Sequence, residues 1–324
     1  MTKGMRILPL CLMIQLISAL SELGAGTRGS SLGLEALMFA SLKENPSFFE
    51  NRRVIDVPVN NKALFHNPEN KRAKYIHDIA EMYDRSSQTI QKVMSNGDFP
   101  LVISGDHSNG GGTIAGIKAS HPNWRWGVIW IDAHADLHSP YTSPSGNLHG
   151  MPLATALSED NKECLVDMPN DSVVEGWNRL KGDQPRILHS DLRFVAVRDT
   201  EKPEDELMAR HGIPNITVDS LREQGAEYVA QQLIASLSDC DAIYVSFDVD
   251  SMDSSISVGT GTPVSHGLTI EESRKLLTTL VSSDQVKALE FTEINPLLDD
   301  KGNAMGEAAF SLLASVIPVI ESRN

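Results

Sequence analysis

Apolar residues in this chain gather in short runs separated by stretches with a helical repeat. Runs rich in Val and Ile at 14–18, 53–57, 101–104, 127–132, 193–197, 242–248 and 287–291 predict strands. Several are continuous rather than alternating, as in strands covered on both faces of a parallel sheet. Helical spacing predicts helices over 71–95, 111–120, 152–157, 204–211, 220–237, 270–281 and 304–320. Thr269 opens a T-I-E-E capping sequence, and Asp219 stands just before the fifth helix; both are start signals. Strands alternating with helices imply an α/β layer fold around a mainly parallel sheet. Residues 160–184 are polar and irregular and read as a surface excursion too short for a second domain. With no internal repeat and no low-complexity tract, 1–324 reads as a single domain.

Charge narrows the partners. A net charge of −15 and no clustered Lys and Arg argue against nucleic acid and anionic membrane. The three cysteines, Cys11, Cys164 and Cys240, are far apart and odd in number. They form neither a disulfide framework nor a zinc spacing, which suits a reducing, cytoplasmic compartment. At the N-terminus, MTKGMR followed by ILPLCLMIQLISAL matches the basic and apolar parts of a signal peptide. On that reading the chain is exported. The preferred reading makes the end of this run the first core strand, leaving 1–13 as a leader or an extension without fixed structure. No other segment reads as apolar for long enough to span a membrane.

The chemistry collects where strands end. SGDHSNGG follows 101–104, DAHADLH follows 127–131, SFDVDSMD closes 242–248 and EFTEINP closes the last strand. In open α/β sheets, sites form beyond the carboxyl ends of strands. Extended backbone would set Asp132, His134 and Asp136 in one row, with Asp248 and Asp250 in a second. His107 stands in a Gly-rich turn. D-x-H-x-D alone is also compatible with a polar strand end. Two such rows and a His-bearing turn together describe four carboxylates and two imidazoles in one small volume, a set that two divalent cations would neutralise. Oxygen-rich ligands with two His and no Cys suit Mn²⁺, and are compatible with Fe²⁺, Co²⁺, Ni²⁺ or Zn²⁺. Two metals roughly 3.5 Å apart can share a water and make hydroxide available near neutral pH.

GDHSNGG, WIDAHADLHSP, SGNLHG, SFDVDSMD, TGTPV and EINP occur in the order of the arginase/ureohydrolase family, which this chain resembles over nearly its whole length. SGNLHG is similar to the arginases rather than to the agmatinases or formimidoylglutamases. The resemblance implies a three-layer α/β fold with a mainly parallel eight-stranded sheet. It also implies a binuclear manganese hydrolase that converts L-arginine to L-ornithine and urea through a metal-bridging hydroxide. By the same resemblance, His107, Asp132, Asp136 and Asp248 hold one Mn²⁺, and His134, Asp132, Asp248 and Asp250 the other. Asp136 also orients the hydroxide, His149 shuttles protons and Glu293 holds the guanidinium. Thr262 lines the site, Ser145 and Asn147 contact the α-carboxylate, and Glu201 stands where arginases carry an Asp near the α-amino group. His138 occupies a position where many arginases have a carboxylate-binding Asn, a departure that bears on affinity. A homo-oligomer, trimer or hexamer, is implied as well. The alternatives are another ureohydrolase, a deacetylase-like amidohydrolase with one zinc, or a non-catalytic metal-binding homologue.

Overall fold

The computed structural model describes residues 13–323. The leader or extension read at 1–13 lies, apart from Met13, outside the described residues, and so does Cys11. Eight strands form one parallel sheet in the order β2-β1-β3-β8-β7-β4-β5-β6. They are β1 Ile14–Ala19, β2 Val54–Asp56, β3 Phe99–Ser104, β4 Trp126–Ile131, β5 Leu192–Val195, β6 Asn215–Ile216, β7 Ala242–Asp248 and β8 Val286–Thr292. Every pairing between neighbouring strands is parallel.

The pleat sorts the apolar runs onto two faces. Leu101 and Ile103 of β3, Ile129 and Ile131 of β4, and Val245 and Phe247 of β7 enter one core. That core is closed by α1 (Gly33–Glu44), α8 (Ala226–Ser236), α9 (Ile270–Val281) and α10 (Ala304–Glu321). Val102, Val128, Trp130 and Tyr244 enter the other, beneath α2 (Ile76–Ser95), α3 (Asn109–Ser120), α4 (Pro152–Leu157) and α6 (Lys202–His211). This is the three-layer α/β arrangement expected. The continuous apolar runs are explained: β3, β4 and β7 are buried at every position.

Several elements differ from the expectation. The helix predicted over 71–95 begins at Ile76, because Tyr75 takes left-handed backbone, φ 54°. The helix predicted over 220–237 is two helices, α7 (Val218–Gln224) and α8, separated by Gly225 at φ 88°. Helix α1 and the two-residue strand β6 were not anticipated. Nor was α5 (Asp171–Lys181), which lies within the segment read as an irregular excursion. Its signal was present: Asn170 caps it by accepting a hydrogen bond from Val173 N, and Val173, Trp177 and Leu180 share its buried face. α10 is, against the expectation, long and apolar enough to cross a membrane by length and composition. Here it is a core helix, with Phe310, Leu313, Val316 and Ile317 packed on the sheet.

Leu289 lies at the middle of β8, fully buried between β3 and β7. Leu289→Ala should cost about 2–5 kcal/mol of stability. The fall would be read as a lower urea midpoint at unchanged slope.

Candidate metal centre and substrate cleft

The four central strands β3, β8, β7 and β4 are neighbours, so their carboxyl ends share one rim. Of these, β3, β4 and β7 each run into a turn closed by an aspartate. Asp106 Oδ1 accepts from Ser108 N at 2.9 Å, Asp132 Oδ1 from His134 N at 2.7 Å, and Asp248 Oδ1 from Asp250 N at 2.8 Å. An Asp side chain that binds the backbone two residues on bends the chain where the strand stops. The expected extended rows are therefore corrected. Asp132 to His134 is a bend, Asp136 is left-handed at φ 53°, and Asp250 stands on a 3₁₀ turn. The residues converge through these turns rather than through the pleat.

The turns leave the second oxygens of Asp132 and Asp248 facing inward. His107 Nδ1 lies 2.9 Å from Asp132 Oδ2, 3.2 Å from Asp136 Oδ2 and 3.1 Å from Asp248 Oδ2. Its Nε2 is 2.8 Å from Ser246 Oγ, and its ring stacks on Trp130 at 4.0 Å. Trp130 Nε1 in turn donates to Asp132 Oδ2 at 2.9 Å. With Nε2–H donating to Ser246, Nδ1 presents a lone pair to three carboxylate oxygens. Acceptors gathered in this way need a cation between them. His107 Nδ1 and Asp136 Oδ2 are both enclosed and make no hydrogen bond. A second group adjoins the first: His134 Nδ1 is 3.4 Å from Asp132 Oδ1 and 3.1 Å from Asp250 Oδ2. All six predicted residues thus come together: His107, Asp132 and Asp136 form one cluster that could hold a metal ion, Asp132, His134 and Asp250 an overlapping one, and Asp248 adjoins the first through His107.

Charge balance supports that reading. Burial and the charge of Asp132 push Asp136 up to about 7. Burial and the charges of Asp250 and Asp132 hold Asp248 well above the usual carboxylate range. Burial alone would lower His107, but the carboxylates of Asp132, Asp136 and Asp248 gathered around its ring raise it well above an ordinary histidine. The cluster therefore holds positive charge tightly, as protons or as metal.

A cleft of about 250 Å³ opens above these groups, lined by both His and by the remaining predicted residues. His149, on a 3₁₀ turn, is fixed through its backbone N to Gly24 O at 3.2 Å. Its Nδ1 is 3.2 Å from Glu293 Oε1. Burial opposes its protonation, but the bond to Glu293 outweighs that and raises its pKa. Glu293 is buried, accepts from His107 N at 2.9 Å, and keeps Oε2 without a partner. Its φ of 64° is strained backbone for a Glu, a kind of strain that gathers at working sites. Thr262 Oγ1 donates to Asp250 Oδ2 at 3.1 Å. Asn147 Oδ1 accepts from Lys74 Nζ at 2.8 Å, and Ser145 Oγ accepts from Asn147 N. Gly146 between them has φ 71°, and a Cβ there would meet Lys71 O at 1.8 Å, so this turn requires glycine. His138 Nε2 faces Glu201 Oε2 at 3.4 Å and Glu204 Oε2 at 3.6 Å. Its Nδ1 is 3.1 Å from Thr142 Oγ1.

Several participants escaped the sequence reading. Asp199 Oδ2 stands 3.6 Å from His134 Nε2, on the side away from the cluster, and can orient that ring. Asp106 accepts from Gly24 N at 2.8 Å, and burial, with Glu293 nearby, pushes it up to about 6. Glu204 closes the α6 capping box with Glu201, and burial pushes it up to about 7. Under the rim, Glu290 accepts from Ser104 Oγ, Asn109 Nδ2 and Tyr244 OH at 2.6, 3.2 and 2.8 Å. Apart from Glu204, which caps its own helix with Glu201, each depends on a neighbour distant in sequence and so has no spacing signal.

The sequence model of the arginase family matches residues 14–318. The arginase of Bacillus subtilis (strain 168) is 32% identical over 306 residues, covering 94% of this chain and 97% of that protein. The arginase of Brevibacillus brevis is 33% identical over 300 residues, covering 91% of this chain and 94% of that one. Among solved structures, native Bacillus caldovelox arginase superposes with a TM-score of 0.80 at 31% identity, covering 94% of this chain and 98% of the other.

Chelation of divalent metal should lower the melting temperature by about 10 °C, and Mn²⁺ should restore it. Asp248→Asn should abolish that response. A melting point indifferent to chelator in the intact protein would count against a metal centre.

Proposed function

This chain belongs to the arginase family of hydrolases, and on that premise we propose that it converts L-arginine to L-ornithine and urea with two bound Mn²⁺. The observation that carries the proposal is the stacking of two features along one cleft. Two overlapping His–Asp clusters form its floor, and the His149–Glu293 pair stands above them. His107, Asp132, Asp136 and Asp248 would hold one ion, and His134, Asp132, Asp248 and Asp250 the other. When bound, the metal pair would neutralise the carboxylates and lower the pKa of a water, so that hydroxide is available near neutral pH.

The protein's own groups do the rest. The unpartnered Glu293 Oε2 is the acceptor for a guanidinium N–H, a charge-assisted bond that fixes the carbon to be attacked. Asp136, whose Oδ2 faces the His107 cluster, would orient the attacking water. His149, held by Glu293 and partly open to the cleft, delivers a proton to the departing amine. Ser145 and Asn147 donate to the α-carboxylate, Asn147 being set by Lys74. Glu201 receives the α-amino group. His138 Nε2 replaces an amide N–H as a donor to the carboxylate.

A second reading rests on one observation. His138 faces Glu201 and Glu204, which make the outer end of the cleft acidic. Such an end also suits a cationic group without a carboxylate, as in agmatine. We further propose that the chain acts as a single domain in a cytoplasmic homo-oligomer. The odd, widely spaced cysteines support the compartment, and the resemblance to arginases supports the assembly.

Urea release from L-arginine and from agmatine, measured side by side on Mn²⁺-loaded protein, tests the substrate. Urea from L-arginine alone is expected; urea from agmatine alone would overturn the carboxylate assignment. Asn147→Ala should raise KM for L-arginine about tenfold or more with a smaller change in kcat, since it removes a hydrogen bond to a charged group. His149→Ala should lower kcat by about 10²–10⁴-fold at unchanged metal content. Loss of metal in that variant would contradict its role as a proton donor.

A further inference from the structure

One more cluster among the described residues has the signature of the main centre. Glu159, His189 and His211 bring their ligand atoms within 4.8 Å of one another, a grouping otherwise seen only at the rim. Glu159 Oε2 lies 3.5 Å from His189 Nε2 and 3.8 Å from His211 Nε2. These spacings are close to those between ligands around a tetrahedral ion with bonds of about 2.0–2.2 Å. His189 Nε2 is enclosed and makes no hydrogen bond, as is true of His107 Nδ1. The two imidazoles stack, 3.7 Å between centroids and 11° between planes, so both present an edge to the same carboxylate oxygen. Glu159 Oε1 is already committed to Asn161 N at 2.8 Å, so Oε2 is the oxygen left to bind. The nearby cation Arg210 is taken up by Glu163 and Asn161.

We propose that Glu159, His189 and His211 form a second, separate site for a borderline transition-metal ion, Zn²⁺ in the first instance, lying outside the catalytic cleft. Two imidazole nitrogens and one carboxylate oxygen suit Zn²⁺, Co²⁺ or Ni²⁺ better than Mg²⁺ or Ca²⁺, and a water completes the set. The rings open from their stack by rotation of the side chains as the ion enters. The three ligands come from three places: the end of α4, the turn leading into β5 and the last turn of α6. α4 begins just after His149, and α6 begins just after Glu201. Ser139 Oγ, in the cleft loop, donates to the carbonyl of Asp160, beside Glu159. A bound ion would therefore clip together the far ends of two helices whose near ends frame the cleft.

The test is a metal count on the intact protein loaded with Mn²⁺ and then dialysed against micromolar Zn²⁺. Zinc per chain is measured by mass spectrometry in the wild type, in His211→Gln and in Glu159→Gln. One zinc equivalent more in the wild type than in either variant is expected. An upward shift in melting temperature with Zn²⁺ should accompany it, absent in both variants, while urea release stays within about twofold. Equal zinc in wild type and variants, or no melting shift specific to the wild type, would overturn the site. The readout is a difference between proteins with the same rim residues, so it holds whatever metal or substrate the central cleft takes. His211 is at the exposed end of α6, and Glu159→Gln keeps the Asn161 contact, so folding is preserved in both variants.

Discussion

The structure depends on packing four buried carboxylates around two imidazoles, each carboxylate within 2.9–3.4 Å of a ring nitrogen. Like charges gathered this closely repel strongly inside a protein. The cluster survives only where cations or protons occupy it and where the backbone is too stiff to let it spread. The four central strands supply the stiffness. β3, β8, β7 and β4 are buried on both faces, so their ends cannot shift without disturbing a packed core.

The turns at those ends convert stiffness into geometry. One oxygen of Asp132 and one of Asp248 bind the backbone two residues on, and the other is left to face His107. Trp130 stacks on His107 and donates to Asp132, so an apolar core residue sets the position of two polar ones. Left-handed backbone at Asp136 and Glu293 places two further carboxylates where an extended chain could not. That strain persists because the sheet beneath and the loop above fix both sides. The loop is itself held down by Gly146 against Lys71 and by Lys74 against Asn147.

The outer cleft is built on a different principle. Its groups sit on loops and on the first turn of α6, and they pair with one another rather than with the core. His138, Glu201 and Glu204 form a small polar set that depends on the capping box of α6. The outer set is accordingly separable from the His–Asp floor, and a change at His138 alters the cleft without touching the rim cluster.

The sequence by itself determined the layer order and the residues that gather at the rim. Continuous apolar runs announced buried parallel strands, and D-x-H-x-D, D-V-D and the His-bearing Gly turn named all six groups of the floor. Local chemistry suffices there, since a strand end and the acids after it are neighbours in the chain. The sequence also carried signals that were passed over, such as the Asn170 cap and the Val173, Trp177 and Leu180 stripe of α5. Only the tertiary structure decided the rest. It showed that turns, not pleats, gather the rim residues, and that Glu293 contacts both His107 and His149. It also brought Asp199 behind His134, and Glu159 to two imidazoles from distant segments. These pairings join residues tens to nearly two hundred positions apart. No periodicity encodes such a meeting. It follows from which strands lie side by side and how far each turn carries its side chains beyond the rim.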